Sequence, residues 1–146
     1  MKKFLTLLIL LTALVLGAKR FWTEPNQVAI TVLSCADITK GCGDSFFSAR
    51  FAEVPQVMKP LHVLVHFNRP EAIQKVHIDF AMKDMGMGLN RYRLIPSNHS
   101  SDWQAEITLP VCVQGRSDWN MLIEFETEDD LQRIQIPFSA KANRKN

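Results

Sequence analysis

Soft sulfur donors are the most concentrated chemistry in this chain. Met82, Met85 and Met87 fall within six residues of one another in the segment MKDMGMGLN, out of six methionines in the whole sequence. Thioether sulfur is a soft ligand, suited to Cu(I) in an oxidising space where free thiolates are scarce. Met85 and Met87 are two apart and share a direction on extended backbone, while Gly86 and Gly88 let the chain bend around an ion. The same residues also have a packing explanation. Met82 continues the apolar parity of Val76, Ile78 and Phe80 and is expected in a core. Met85 and Met87 then cap the end of the domain as adaptable apolar filler.

The cysteines are the second source of sulfur. Cys35 and Cys42 enclose a stretch rich in turn formers (Asp37, Thr39, Gly41) and are expected to close a small disulfide loop in an oxidising compartment. Cys112 is then the odd thiol, read as a small buried residue on a strand. A redox role for Cys112 or for the Cys35/Cys42 pair requires a reactive thiolate. The spacing has no paired CxxC or HxxxH pattern of structural zinc.

His62 and His66 lie on one strand face roughly 13 Å apart, too far for one ion to take both. His66 and His77 are weaker ligand candidates, each needing a partner from a neighbouring strand. The acidic run Glu124, Glu126, Glu128, Asp129, Asp130 reads as a solvated face and a hairpin turn, without the spaced ligands of a calcium loop. Asn98-His99-Ser100 is a formal glycosylation sequon. There is no GxSxG, P-loop, HExxH or glycine-rich dinucleotide turn. The chain is therefore expected to be non-enzymatic, with no catalytic residue and copper as its one cofactor candidate.

The elements that must carry these residues have a period of two. Alternating apolar runs begin at Val28, Phe47, Leu61, Val76, Leu89, Trp103, Trp119 and Leu131, and turn signals such as Asn68-Arg69-Pro70 and Gly115-Arg116-Ser117 separate them. Trp103 and Trp119 are expected to supply core area. No stretch after Ala18 holds an amphipathic helical pattern. Seven to eight short strands with one apolar face each describe an all-β, antiparallel, immunoglobulin-like sandwich.

The N-terminus is different in kind. Residues 4–18 carry no charge, and Lys2-Lys3 and Lys19-Arg20 flank them. As a helix they span roughly 22 Å, short of the roughly 30 Å hydrocarbon core. Residues 1–18 therefore read as a signal peptide or, given Phe21 and Trp22, as a signal anchor in the inner membrane. Either reading exports residues 19–146 to the periplasm as a single domain with a loose basic tail at 141–146. Of 17 basic and 15 acidic residues in the chain, two lysines belong to the export segment, so the body is neutral. A neutral body excludes nucleic acid as a partner, because phosphate neutralisation needs a basic face.

Met82, Met85, Gly86 and Met87, then Trp103 and Ala105, then Leu109, Pro110, Gly115, Arg116 and Trp119 resemble the FixH-like/YtkA-like family. The likeness covers about half of the chain, from Leu61 to Phe125. It implies a small exported or membrane-anchored sandwich associated with copper handling and haem–copper oxidase assembly, beside copper chaperones or other assembly proteins. It places any metal role on Met82, Met85 and Met87. The sequence departs from FixH-type members in its short apolar segment and in its Cys35–Cys42 loop. A metal-independent periplasmic interaction or assembly module is the alternative expectation.

Overall fold

Alternation of inward apolar residues gives the long strands over 47–51, 60–67, 75–82 and 118–126, and burial follows it there residue by residue. The structure is a computed structural model that describes residues 28–85, 90–98, 101–112, 115–128 and 130–141. The expected export segment, Met87 with Gly86 and Gly88, His99 and the tail after Lys141 lie outside the described residues. The strands are β1 (Ile30–Val32), β2 (Cys42–Gly43), β3 (Phe47–Phe51), β4 (Pro60–Phe67), β5 (Lys75–Met82), β6 (Arg91–Arg93), β7 (Ile95–Pro96), β8 (Asp102–Thr108), β9 (Asp118–Glu126) and β10 (Leu131–Ser139). A 3₁₀ turn at Pro70–Ala72 lies at the predicted break Asn68-Arg69-Pro70.

Two five-stranded sheets result, with orders β1-β10-β9-β5-β6 and β2-β3-β4-β8-β7. The pairing β3-β4-β8-β7 facing β10-β9-β5-β6 is the A-B-E-D against G-F-C-C′ arrangement of an immunoglobulin-like sandwich. The expected all-β class is thus the observed one. The added strand β1 runs parallel to β10, Ile30 opposite Arg133 and Val32 opposite Gln135, while the other strand pairs are antiparallel.

Phenylalanines lock the sheets together. Phe67 of β4 meets Phe125 of β9 edge-on at 5.1 Å, and Phe51 of β3 meets Phe138 of β10 at 5.1 Å. Edge-to-face and tilted pairs of this kind add about 0.5–1.5 kcal/mol each beyond their burial. Trp119 is 1% exposed and Trp103 8%, so both indoles are core as expected.

The apolar run expected over 89–95 is two strands. Leu94 is fully buried and donates its N–H to the Val76 carbonyl at 3.0 Å, so the chain is pinned to one sheet there before it crosses. Ile95 and Pro96 then pair with Gln104 and Trp103 in the other sheet. The crossing leaves β8 covered by only two residues of β7. Tyr92 of β6 completes the cover: its hydroxyl donates to the Thr108 carbonyl at 3.1 Å and accepts from the Thr108 N–H at 3.3 Å. A side chain thereby occupies an edge that unpaired backbone would otherwise present.

Cys35 and Cys42 form the expected disulfide, their Cα atoms 5.7 Å apart. Within the loop Asp37 accepts hydrogen bonds from the Thr39 N–H at 3.0 Å and hydroxyl at 2.7 Å. Closing a loop of this size stabilises a fold by roughly 2–3 kcal/mol in the chain-entropy view. Such a bond forms and persists in oxidising compartments. Among the described residues no helix is long and apolar enough to cross a membrane.

The dual role of the Tyr92 hydroxyl predicts that Tyr92→Phe lowers the unfolding free energy by about 1–2 kcal/mol. Urea denaturation monitored by tryptophan fluorescence checks this, with an unchanged m value expected because the buried area is the same.

Candidate functional site at the methionine end of the sandwich

The described parts of three connections meet at one end of the sandwich: residues 52–59 between β3 and β4, residues 83–85 and 90 between β5 and β6, and residues 109–112 and 115–117 between β8 and β9. Backbone hydrogen bonds join them to each other and to the end of β10. The Met58 N–H donates to the Leu109 carbonyl at 2.8 Å, Lys83 to Asp118 at 3.3 Å, Ala140 to Ser117 at 3.0 Å and Lys141 to Pro55 at 3.0 Å.

Met82 is the last residue of β5 and lies opposite Trp119 of β9. It is 2% exposed, so the parity argument for a core residue holds and its sulfur faces the inter-sheet space. Met85 is half-buried and packs against the core from its rim. Its N–H donates to the Met82 carbonyl at 3.3 Å, closing a turn in which Asp84 sits at φ 57°. Aspartate tolerates this left-handed backbone better than most side chains. Met87 lies outside the described residues, so only Met82 and Met85 of the three candidates have a described place.

Cys112 is the free cysteine and is 8% exposed. It lies just past β8 in the loop rather than within a strand, and its carbonyl accepts from the Gly115 N–H at 3.0 Å. Gly115 takes φ 70°, a conformation that glycine adopts without penalty. Next to it Arg116 makes a fork onto Asp118, with Nε to Oδ1 at 3.0 Å and Nη2 to Oδ2 as a second, closer pair. Hydrogen bonding to Asp118 is the main cause that holds Arg116 above its ordinary pKa, against some desolvation and with the charges of Asp118 and Asp84 assisting. The Arg116 hydrogen bond likewise keeps the Asp118 carboxyl below its ordinary value. Two buried side-chain donors near this end, Trp119 Nε1 and Asn90 Nδ2, have no hydrogen-bond partner among the described residues.

Met58 also belongs to this end, and the sequence pattern did not single it out. It sits in the β3–β4 loop with no methionine near it in sequence, and the Met58–Leu109 hydrogen bond ties it to the segment that leads into Cys112. It is 62% exposed at φ 58°.

The histidines and carboxylates are held elsewhere, in pairs. His62 Nδ1 lies 2.8 Å from Glu53 Oε1 and its Nε2 3.5 Å from Glu106 Oε2, while His66 Nδ1 lies 2.8 Å from Asp102 Oδ1. His77 stands between Arg93 and Glu124 in register on the outer face of the other sheet. On that face Arg91 bonds Asp79 at 3.0 Å and Glu124 at 2.6 Å, Arg133 bonds Glu124 at 2.8 Å, and Lys75 bonds Glu126 at 2.8 Å. Burial pushes the Glu124 carboxyl upward, but hydrogen bonds from Arg91 and Arg133 outweigh it and its pKa falls. Asp79, left the weaker share of Arg91, is raised chiefly by burial. Glu124 and Glu126 of the acidic run are therefore engaged by cations, and Asp130 bonds Thr127 in the hairpin turn, while Asp129 lies outside the described residues. Among the described residues no group of three or more His, Cys, Asp or Glu side chains is placed to hold a metal ion.

Met82→Ala is expected to cost about 2–5 kcal/mol, the range for emptying a well-packed core site, and Met85→Ala clearly less because its pocket is half open. Chemical denaturation of the two variants side by side measures the contrast. His62 gives a second expectation. Hydrogen bonding to Glu53 raises the His62 pKa above the ordinary imidazole value, and hydrogen bonds from the His62 backbone and ring lower that of Glu53. The imidazolium's contribution to stability is therefore full below the ordinary imidazole pKa and is lost as pH rises through the raised one. The carboxylate's contribution is present above the ordinary glutamate pKa and is lost as pH falls through the lowered one. An NMR titration is expected to show His62 falling back toward the ordinary value in Glu53→Gln, and an unchanged midpoint refutes the pairing.

The sequence matches no protein-family model and no curated protein. Among solved structures it is similar to part of Cwp6 from Clostridium difficile, at 13% identity and a TM-score of 0.48, over 61% of this chain and 14% of that one. The chain thus spans only a small part of that protein's length.

Proposed function

We propose that this is an exported, non-enzymatic accessory protein that handles Cu(I) at its methionine end, in copper supply or haem–copper oxidase assembly. The observation that carries the reading is the placement of Met85: half-buried at the rim of the sandwich, two residues before Met87 in the sequence. The disulfide supports it, because thioethers rather than free thiols are the soft ligands that survive in an oxidising compartment. The resemblance of residues 61–125 to FixH-like/YtkA-like proteins points the same way, with a copper chaperone or an oxidase-assembly protein as partner and the N-terminal segment as signal or inner-membrane anchor. Met82 belongs to the support of the turn, and Met85 and Met87 are the residues that meet the ion.

A specific observation favours a second reading, a metal-independent interaction module. Ile30 and Val32 are 49% and 57% exposed on β1, and share the outer face of their sheet with exposed Pro137 and Ala81 and half-buried Leu122. A partner that co-purifies from membranes equally well with and without copper supports this reading over the first.

Anaerobic competition titration of the full chain in mild detergent tests the copper reading. Met85→Leu/Met87→Leu is expected to weaken Cu(I) binding by about tenfold or more, which is about 1.4 kcal/mol or more. Equally weak binding by both proteins removes the direct metal role.

A further inference from the structure

β1 is the outermost strand of its sheet, and no described strand pairs with its free side. The Leu33 N–H donates to the Gln135 carbonyl at 2.9 Å. Alternation in a parallel pair therefore turns the N–H and C=O groups of Thr31 toward β10, and those of Ile30 and Val32 to the free edge. The other three edges are blunted: β6 carries Arg91 and Arg93, β7 is two residues ending in Pro96, and β2 is two residues long. Residues 28–34, VAITVLS, contain no charge and no proline. Charge, proline and shortness are the devices that keep an edge from accepting another strand.

A cavity opens beside this edge. Thr31 turns into the space between the sheets, where an open cavity of about 290 Å³ is floored by Phe46, Phe47, Phe125 and Ile134 and rimmed by Asp44. The Phe46 and Phe47 rings each lie 6.1 Å from that of Phe125. The far wall is preformed: Cys42 of β2 is disulfide-bonded, and Asp44 Oδ1 accepts from the Phe46 and Phe47 N–H groups at 2.7 and 3.2 Å. Arg69 stands 5.9 Å over the Phe46 ring rather than on this carboxylate, whose Oδ2 is left for a basic group. Free main-chain hydrogen-bonding groups beside a pocket for alternate side chains are the two parts of a β-addition site.

We propose that β1 and this cavity bind an extended segment of a partner protein, whose large apolar side chain enters the cavity and whose basic residue on the same face meets Asp44. The inference rests on the interaction reading above, needs no metal, and names the chemistry of the partner. The added strand bonds to the Ile30 and Val32 backbone. Its inward side chains fall beside Thr31, and its outward ones cover the exposed Ile30 and Val32 side chains.

The probe is the capped peptide Lys-Val-Phe-Val-Lys, titrated into the isotope-labelled full chain in mild detergent and followed by amide NMR shifts. Alternation puts its Phe and both Lys on one face and both Val on the other. The expected shifts are confined to residues 28–34 and to Asp44, Phe46 and Phe47. Replacing the peptide's Phe by Gly, or both Lys by Glu, is expected to weaken binding by about tenfold each. Asp44→Asn keeps the acceptor oxygen of the turn and is expected to erase the preference for Lys over Glu. Val32→Pro removes an outward N–H but no bond to β10, and is expected to abolish binding. A Gly peptide that binds as well as the Phe peptide overturns the role of the cavity. An unchanged Lys preference in Asp44→Asn overturns that of Asp44. Self-association without peptide, abolished by Val32→Pro, assigns the edge to a second copy and overturns the proposal. Absence of shifts at these residues also overturns it, and a membrane partner that co-purifies equally with wild type and Val32→Pro then leaves the interaction reading standing.

Discussion

Among the described residues no polar or charged residue is buried between the two sheets, and the rest of the structure follows from that. Every described side chain that is fully enclosed there is apolar, and phenylalanines from both sheets close across the gap. A charge placed in such a space costs far more than the domain's few kcal/mol of net stability can absorb. Polar chemistry is therefore expelled to two outer faces and two loop-bearing ends. Sulfur is the exception, because thioethers and thiols are apolar enough to sit at the boundary and polarisable enough to bind. Met82, Cys112 and Met85 occupy graded positions along that boundary, from enclosed to rim.

The outer faces show the converse economy. Arg91 serves both Asp79 and Glu124, and Glu124 serves both Arg91 and Arg133, so a few side chains across three antiparallel strands and an edge strand satisfy one another. Partly exposed pairs of this kind contribute little singly, and their ordering in a network is what makes them count. The His62 and His66 pairs do the same on the opposite sheet, which leaves these histidines engaged with carboxylates rather than convergent on an ion.

Much of this was legible in the chain. Runs such as Leu61, Val63, Val65, Phe67 and Val76, Ile78, Phe80, Met82 alternate so regularly that strand and inward face are read together, because a one-residue slip would expose every apolar group. What was not legible depends on contacts distant in sequence. The crossing at Leu94 is set by a backbone bond to Val76, not by any turn residue. The parallel register of β1 needs β10 as a template, and its three residues carry no burial pattern of their own. At the site, the Met82–Met85–Met87 spacing announced itself, whereas Met58 is isolated in sequence, and Cys112 is buried as its type suggests but in the loop past β8 rather than on a strand.

The parallel pairing of β1 with β10 has a mechanical consequence. The chain enters β1 from the side of the β9–β10 turn, whereas Met85 and Cys112 lie past the other end of β9, a strand of nine residues and so about 30 Å long. A load on the N-terminal side of β1 acts along the strand and shears its bonds to β10 together, instead of peeling them one at a time. Anything that holds residue 28 from outside thus orients the molecule like a post fixed at its foot, with the sulfur-bearing loops at the free tip.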